Sequence, residues 1–104
     1  MVELNDGNFA EEVLGSAMPV LVDFWSASCV PCKLIAPAVE QIEGEYAGRL
    51  KVCAFDVDQE AEIPSRYGIL SIPTLLIFKG GDVKSQIVGC VSKEHILKKL
   101  ELAV

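Results

Sequence analysis

The sequence predicts an α/β fold in which helices pack against a mixed central β-sheet. Three patterns support this: apolar runs that alternate with helical segments, a long helix directly after one such run, and a turn signal between the last two strands. The predicted order of elements is βαβαβαββα, a parallel unit followed by an antiparallel hairpin and a closing helix. The 104 residues are expected to form a single domain, residues 1–104.

The first half of the chain begins with a short predicted strand at residues 2–4 and a predicted helix at residues 6–14. The following segment, Val20-Leu21-Val22-Asp23-Phe24-Trp25, is almost continuously apolar, which is typical of a strand buried on both faces. Apolar residues then recur at helical spacing over residues 31–47. Because this periodicity continues beyond Pro37, we expect the proline to kink the helix rather than end it.

A second long strand is predicted at residues 51–58, where apolar residues dominate again. Asp58 is a suitable N-cap for a short helix, since its carboxylate can accept hydrogen bonds from the first backbone N–H groups. Gly68 marks the expected end of that helix.

The last third of the chain predicts a hairpin and a final helix. A strand at residues 74–78 is followed by Gly80-Gly81-Asp82, a turn signal that leads into a strand at residues 83–88. Ser92 is expected to cap the closing helix.

The charge and hydropathy of the chain exclude several classes of partner. Fifteen acidic against nine basic residues give a net charge of −6, so we expect no nucleic-acid partner, which would require a basic patch. No apolar run approaches the roughly 18–20 residues that span a bilayer, so no membrane partner is expected. Residues 1–6 lack the basic start and apolar core of a signal peptide, which predicts a cytoplasmic protein, taken as a monomer.

The motif Cys29-Val30-Pro31-Cys32 lies where a buried strand meets a long helix. A thiol at a helix N-terminus is stabilised as a thiolate, the nucleophilic form, by unpaired N–H groups and the helix dipole. Cys29 is therefore the expected attacking thiol, and Cys32 the expected resolving thiol. The alternative is a structural zinc site, which usually needs four ligands, whereas one pair and two isolated cysteines are present. Redox chemistry is favoured, and no metal is expected.

Two further residues stand out for their surroundings. Asp23 lies inside the apolar second strand, where burial would disfavour the ionised carboxylate and raise its pKa. The alternative is an outward-facing position on an edge strand. Pro73 precedes the strand at residues 74–78, and an ordinary trans proline is the simple reading from the residues alone.

Several separated motifs in the same order resemble the thioredoxin family along nearly the whole chain. They are Val22-Asp23-Phe24-Trp25, Cys29 to Lys33 with Ala36-Pro37, Tyr67-Gly68-Ile69, Ile72-Pro73-Thr74-Leu75, Phe78-Lys79 with Gly81, and Val88-Gly89. The resemblance implies a thioredoxin-like three-layer α/β/α sandwich that reduces client protein disulfides through a redox-active Cys29–Cys32 disulfide. A flavoprotein thioredoxin reductase would re-reduce it. No bound cofactor is expected, because the reducible centre consists of side chains.

The resemblance also implies roles for individual residues. Asp23 would lie beneath Cys32 and act as its general base and acid. Pro73 would be cis and pack beside the cysteines, leaving the backbone before it free to bind a client as an added strand. The docking surface would be bordered by Trp25, Val30, Pro31, Ile72, Gly89 and Cys90.

Three positions depart from the family pattern. Ser28 stands where the family usually has tryptophan, Val30 where it has glycine, and Ala54 where many bacterial relatives have lysine near the buried acid. Val30 favours one alternative, a reductase dedicated to one or few partners. A second alternative keeps the same chemistry in the reverse direction, as an oxidant or isomerase. A non-catalytic or zinc-binding interaction module is the alternative of a different class. Cys53 is expected in the core, whereas the exposure and role of Cys90 are left open.

Overall fold

The computed structural model describes residues 1–103. Its elements are β1 (Val2–Leu4), a π-helical turn (Ala10–Leu14), β2 (Val20–Trp25), α1 (Val30–Glu45), β3 (Lys51–Asp56), α2 (Glu62–Arg66), β4 (Thr74–Lys79), β5 (Asp82–Val88) and α3 (Lys93–Ala103). This order confirms the predicted sequence of strands and helices, with a single π-helical turn in place of the first helix.

The five strands form one mixed sheet in the order β1-β3-β2-β4-β5. Strands β1, β3 and β2 run parallel to one another, whereas β4 is antiparallel to β2 and to β5. Strand β2 therefore lies at the centre of the sheet, which places the segment before the cysteine pair in its most enclosed position. The predicted mixed sheet is confirmed.

Helical elements cover both faces of the sheet and create two apolar cores. On one face, Val22 and Phe24 of β2 pack with residues of the π-helical turn and α2. On the other face, Leu21 packs with residues of α1 and α3. Because side chains alternate along a strand, Asp23 points to the same face as Leu21, towards α1. The three-layer α/β/α sandwich is thus confirmed.

The first helical segment is shorter than predicted. Asn5 and Asn8 each accept the other's backbone N–H with a side-chain oxygen, at 2.8 Å in both cases, and this reciprocal pair holds a turn. The following turn is wide, because the N–H of Gly15 donates to the carbonyl of Ala10, five residues earlier. The helix predicted over residues 6–14 was therefore wrong in its bounds, since side-chain bonds to the backbone compete with a regular helix there.

The predicted cap at Asp58 was wrong. Strand β3 ends at Asp56, whose carboxylate accepts the N–H of Asp58 at 2.9 Å in a local turn. Helix α2 begins only at Glu62, and its first N–H groups, those of Glu62 and Ile63, donate to the carboxylate of Asp6 at 3.4 and 3.0 Å. The cap is thus supplied by the N-terminal segment rather than by the adjacent loop.

Three further local predictions are confirmed: the continuation of α1 past Pro37, the cap at Ser92 and the glycine turn between the last two strands. Helix α1 continues through Pro37. The hydroxyl of Ser92 accepts the N–H of His95 at 3.2 Å at the start of α3. Gly80 and Gly81 join β4 to β5 with φ values of 61° and 84°, the left-handed backbone that tight hairpin turns require.

Candidate active site

The loop between β2 and α1 holds Cys29 and Cys32, which form a disulfide with a Cα–Cα distance of 5.3 Å. Cys29 is the N-cap of α1, and its sulfur accepts the backbone N–H of Cys32 at 3.1 Å. One of the otherwise unpaired N–H groups of the helix N-terminus therefore points at the Cys29 sulfur. The same hydrogen bond, together with the helix dipole, would stabilise a thiolate there after reduction.

The two cysteines differ in accessibility. Cys29 is partly exposed, whereas only 4% of the surface of Cys32 is exposed. Val30 and Pro31, which separate them, lie at the exposed start of the helix. A disulfide of another protein can therefore reach the Cys29 sulfur, while the Cys32 sulfur is shielded.

Ser26 organises the approach to the cysteine pair, a role that the sequence reasoning missed. Its carbonyl accepts the N–H of Cys29 at 3.1 Å, and its hydroxyl accepts the N–H of Ser28 at 3.3 Å. The same hydroxyl donates to the carboxylate of Asp58, in the loop after β3. Ser26 is itself buried. The one available signal was a polar residue directly after the apolar strand, three positions before Cys29.

Asp23 is buried on the central strand, as predicted, with 6% of its surface exposed. Within residues 1–103, its Oδ1 atom has no hydrogen-bond partner. Burial disfavours the charged carboxylate and raises the pKa of Asp23 from 3.8 to about 6. A carboxyl group with this pKa can exchange protons near neutral pH.

Asp23 and Cys32 line the same cavity, which has a volume of about 350 Å3 and lies between the sheet and the first turns of α1. Its walls are mostly apolar side chains from three elements: Trp25, Ala36, Val39 and Ala54. The shared cavity brings the buried acid and the shielded cysteine to one small space, where water can connect them.

The peptide bond between Ile72 and Pro73 is cis, as the family resemblance implied. Pro73 is buried, and its carbonyl accepts the N–H of Gly89 at 2.8 Å. Since Thr74 of β4 pairs with Phe24 of β2, Pro73 lies at the end of the sheet where Trp25 ends β2. The structure thus brings Trp25, Pro73 and Gly89 to the edge from which the cysteine loop leaves.

The other residues predicted to border a docking surface are at least partly accessible. Val30 is 63% exposed, Pro31 and Cys90 are exposed, and Ile72 is partly exposed. Two further apolar side chains, which the sequence reasoning did not select, are strongly exposed: Leu34, one helical turn after Val30, and Leu70, shortly before Ile72.

Comparison with known proteins decides the family. The family model described as thioredoxin matches residues 1–102. Thioredoxin 1 of Nostoc sp. is 46% identical over 99 residues, which cover 95% of this chain and 92% of that protein. Thioredoxin of Pseudomonas aeruginosa is 41% identical over 101 residues, 97% of this chain and 94% of that protein. The chain belongs to the thioredoxin family.

A chloroplastic relative extends the comparison. The thioredoxin M-type of Chlamydomonas reinhardtii is 46% identical over 98 residues, which cover 94% of this chain and 70% of that protein.

With the C-x-x-C pair closed as a disulfide at the start of α1, the chain is a thiol–disulfide oxidoreductase of the protein-disulfide reductase class. The fold and the activity implied by the resemblance are confirmed.

The remaining two cysteines of this thioredoxin differ sharply. Cys53 is completely buried in the core, as predicted, and burial raises the pKa of its thiol to about 11. Cys90 is exposed. Within residues 1–103, no group of three or more His, Cys, Asp or Glu side chains is placed to hold a metal ion.

Proposed function

We propose that this thioredoxin is a cytoplasmic, monomeric electron carrier that reduces disulfides of client proteins and is itself re-reduced by a flavoprotein thioredoxin reductase. The observation that carries the proposal is the contrast between the two sulfurs. Cys29 is accessible and receives a helix N–H, whereas Cys32 is shielded beside a buried acid. Of the helices within residues 1–103, none combines the length and apolar character needed to cross a bilayer.

In the first step, the Cys29 thiolate of the reduced protein attacks one sulfur of a client disulfide. A Cys29–client disulfide forms, the client S–S bond breaks, and the second client sulfur leaves as a thiolate that takes up a proton. The N–H of Cys32 favours the thiolate form of Cys29 before the attack.

In the second step, Cys32 resolves this mixed disulfide. The Asp23 carboxylate accepts the proton of the Cys32 thiol through the cavity they share, and the resulting thiolate attacks the Cys29 sulfur. The Cys29–Cys32 disulfide forms, the bond between Cys29 and the client breaks, and the client sulfur that was bound to Cys29 leaves as a thiolate. Two electrons have then passed from the dithiol to the client. Because the pKa of Asp23 is about 6, the carboxylate is ionised, and ready to accept a proton, at neutral pH.

Client binding is assigned to the surface around Pro73. The backbone of Ile72 would pair with an extended client segment as an added strand, bordered by Trp25, Val30, Pro31, Gly89 and Cys90. The exposed apolar side chains of Val30 and Leu34 favour a client with an apolar segment beside its disulfide.

Val30 favours a second candidate, a reductase dedicated to one or few partners. Its branched side chain is 63% exposed between the two cysteines, where it would contact any docked protein. A side chain at this point excludes partners whose backbone must approach closely.

Trapping of mixed disulfides tests both candidates. In a Cys32→Ser variant, attack by Cys29 proceeds but resolution cannot, so partners remain covalently bound. We expect a flavoprotein reductase and several clients to be recovered from extract of the native cell, whereas a single partner would establish the dedicated reductase. A Cys29→Ser, Cys32→Ser double variant is the matched control for nonspecific capture, including capture through Cys90.

The direction of electron transfer needs a separate measurement. We expect the purified protein to reduce a model protein disulfide with dithiothreitol as electron source, with a reduction potential in the range of reducing thioredoxins, roughly −270 mV. A reduction potential of roughly −120 mV would make the protein an oxidant and refute the proposal.

A further inference from the structure

Ser26 connects the cysteine loop to a second loop, the segment between β3 and α2. Its hydroxyl donates to Oδ2 of Asp58, which lies 32 positions later in the sequence. The second loop is held where it leaves the sheet, because the backbone N–H of Val57 donates to the carbonyl of Trp25 at 3.0 Å. The N–H of Asp58 in turn donates to the carboxylate of Asp56 at 2.9 Å. Asp58 therefore offers the Ser26 hydroxyl an acceptor whose own backbone is held in place.

The carboxylate of Asp58 sets the direction of the hydrogen bonds that the Ser26 hydroxyl makes. A hydroxyl has one proton to donate and two lone pairs with which to accept, whereas a carboxylate only accepts. The proton of Ser26 Oγ is therefore committed to Asp58. Ser26 Oγ then accepts from the N–H and the hydroxyl of Ser28, at 3.3 and 3.1 Å. Because Ser26 is only 3% exposed, these three bonds replace those that water would otherwise provide.

The same serine holds the backbone from which the attacking sulfur projects. The carbonyl of Ser26 accepts the N–H of Cys29 at 3.1 Å, and its hydroxyl accepts the N–H of Ser28. The sulfur of Cys29 accepts the N–H of Cys32, also at 3.1 Å. Hydrogen bonds weaken steeply as their geometry departs from the optimum. The helix N–H therefore stabilises a thiolate fully only while the backbone of Cys29 is held in this position.

We propose that Asp58 is a positioning residue for the attacking thiol, because its bond to the Ser26 hydroxyl holds Cys29 in line with the N–H of Cys32. The inference rests on the proposed role of Cys29 as the attacking thiol and adds to it a residue from a different loop. Asp58 acts here by accepting a hydrogen bond rather than by its charge, since an exposed carboxylate is screened by solvent and salt.

Alkylation of the reduced protein by iodoacetamide tests the proposal, because the thiolate of Cys29 is the reacting form. Mass spectrometry of the digested protein counts modification of Cys29 separately from that of the exposed Cys90. In Asp58→Ala, we expect the rate at Cys29 to fall at least about threefold at neutral pH. This is a part of the roughly tenfold effect of losing a complete hydrogen bond to a charged group. Urea unfolding of each variant establishes that it is folded under the assay conditions.

Three further variants distinguish positioning from charge and from stability. Asp58→Asn removes the charge but keeps an acceptor oxygen for the Ser26 hydroxyl, so the rate should stay within about twofold of wild type. Glu40→Gln is the matched control, since it removes an exposed carboxylate of α1 at the mouth of the cavity, and it should give the same result. In a Ser26→Ala background, Asp58→Ala should have no further effect on the rate, because both changes remove the same bond.

Each alternative result would overturn the proposal. A wild-type alkylation rate in Asp58→Ala, together with a lowered free energy of unfolding, would show that the bond only stabilises the fold. Equal losses in Asp58→Asn and Asp58→Ala would assign the effect to charge. Additive losses from Ser26→Ala and Asp58→Ala would show that Asp58 does not act through Ser26. Since alkylation requires neither a client nor a reductase, this inference can fail while the disulfide-reductase proposal stands, and the reverse.

Discussion

Replacement of Asp23 by asparagine should stabilise the folded protein in a strongly pH-dependent way. The pKa of Asp23 is about 6 in the folded protein and 3.8 as its ordinary value, which we take for the unfolded chain. The folded state therefore holds the proton more tightly between these values. The stability contributed by protonated Asp23 is fully present below pH 3.8 and is lost as the pH rises through about 6.

The size of this loss follows from the two pKa values. Each pKa unit is worth about 1.4 kcal/mol, so the rise from 3.8 to about 6 corresponds to about 3 kcal/mol. Typical domains have unfolding free energies of only about 5–15 kcal/mol, so the effect is large. Asparagine has nearly the same shape and does not titrate. The stability difference between Asp23→Asn and wild type should therefore increase by about 3 kcal/mol from acid to neutral pH.

Urea unfolding of the oxidised protein, followed through the fluorescence of its single tryptophan, Trp25, measures this difference. Keeping the disulfide closed removes the titration of Cys29 and Cys32 from the comparison. The matched control is Glu40→Gln, an exposed carboxylate at the cavity mouth, whose effect should stay within about 0.5 kcal/mol at every pH. Parallel stability profiles for Asp23→Asn and wild type would refute the reasoning that burial raises the pKa of this acid.

Three other predictions concern the site and its surroundings. Ser26→Ala should lower the unfolding free energy by about 1–2 kcal/mol and slow disulfide exchange, because two hydrogen bonds that hold the cysteine loop are lost. An unchanged free energy of unfolding in urea and an unchanged rate of disulfide exchange would contradict it. Ala54→Lys should lower the pKa of Asp23 by at least about one pH unit, measured by carboxyl NMR, because an opposite charge would approach the buried acid. In the oxidised native protein, a thiol reagent should modify the exposed Cys90 and leave Cys53 unmodified until denaturant is added, since burial raises the pKa of Cys53 to about 11. Labelling of both cysteines in the native protein would contradict this prediction.

The order of strands and helices could be predicted because it depends on local hydrophobic patterns. The β2 segment is apolar on both faces and the α1 segment has a clear helical period, so the local sequence is enough to predict each element. The cap of α2 could not be predicted in the same way. Its acceptor, Asp6, lies 56 positions before Glu62, and no local pattern identifies a partner at that distance.

The reactive centre was predictable to a similar extent. The cysteine pair could be recognised from its spacing, and the buried acid from its apolar neighbours, because both features are visible in the linear sequence. The roles of Ser26 and Ala54 depend instead on neighbours brought together by the sheet and the loops. Ser26 meets Asp58 across 32 positions, and Ala54 lies between Glu3 and Asp23 only through strand pairing. Such contacts arise from tertiary structure, which the local pattern does not contain.

Helix α2 depends on a part of the chain that is remote in sequence, because the carboxylate of Asp6 accepts the first N–H groups of the helix. Five residues are too few for a helix to persist alone in water, because nucleation is unfavourable and few hydrogen bonds follow it. The two N–H groups that Asp6 accepts are available only when the N-terminal segment has docked against the chain some 56 residues later. Helix α2 therefore cannot fold autonomously in a growing or fragmented chain, and the start and middle of the protein become ordered as one cooperative unit.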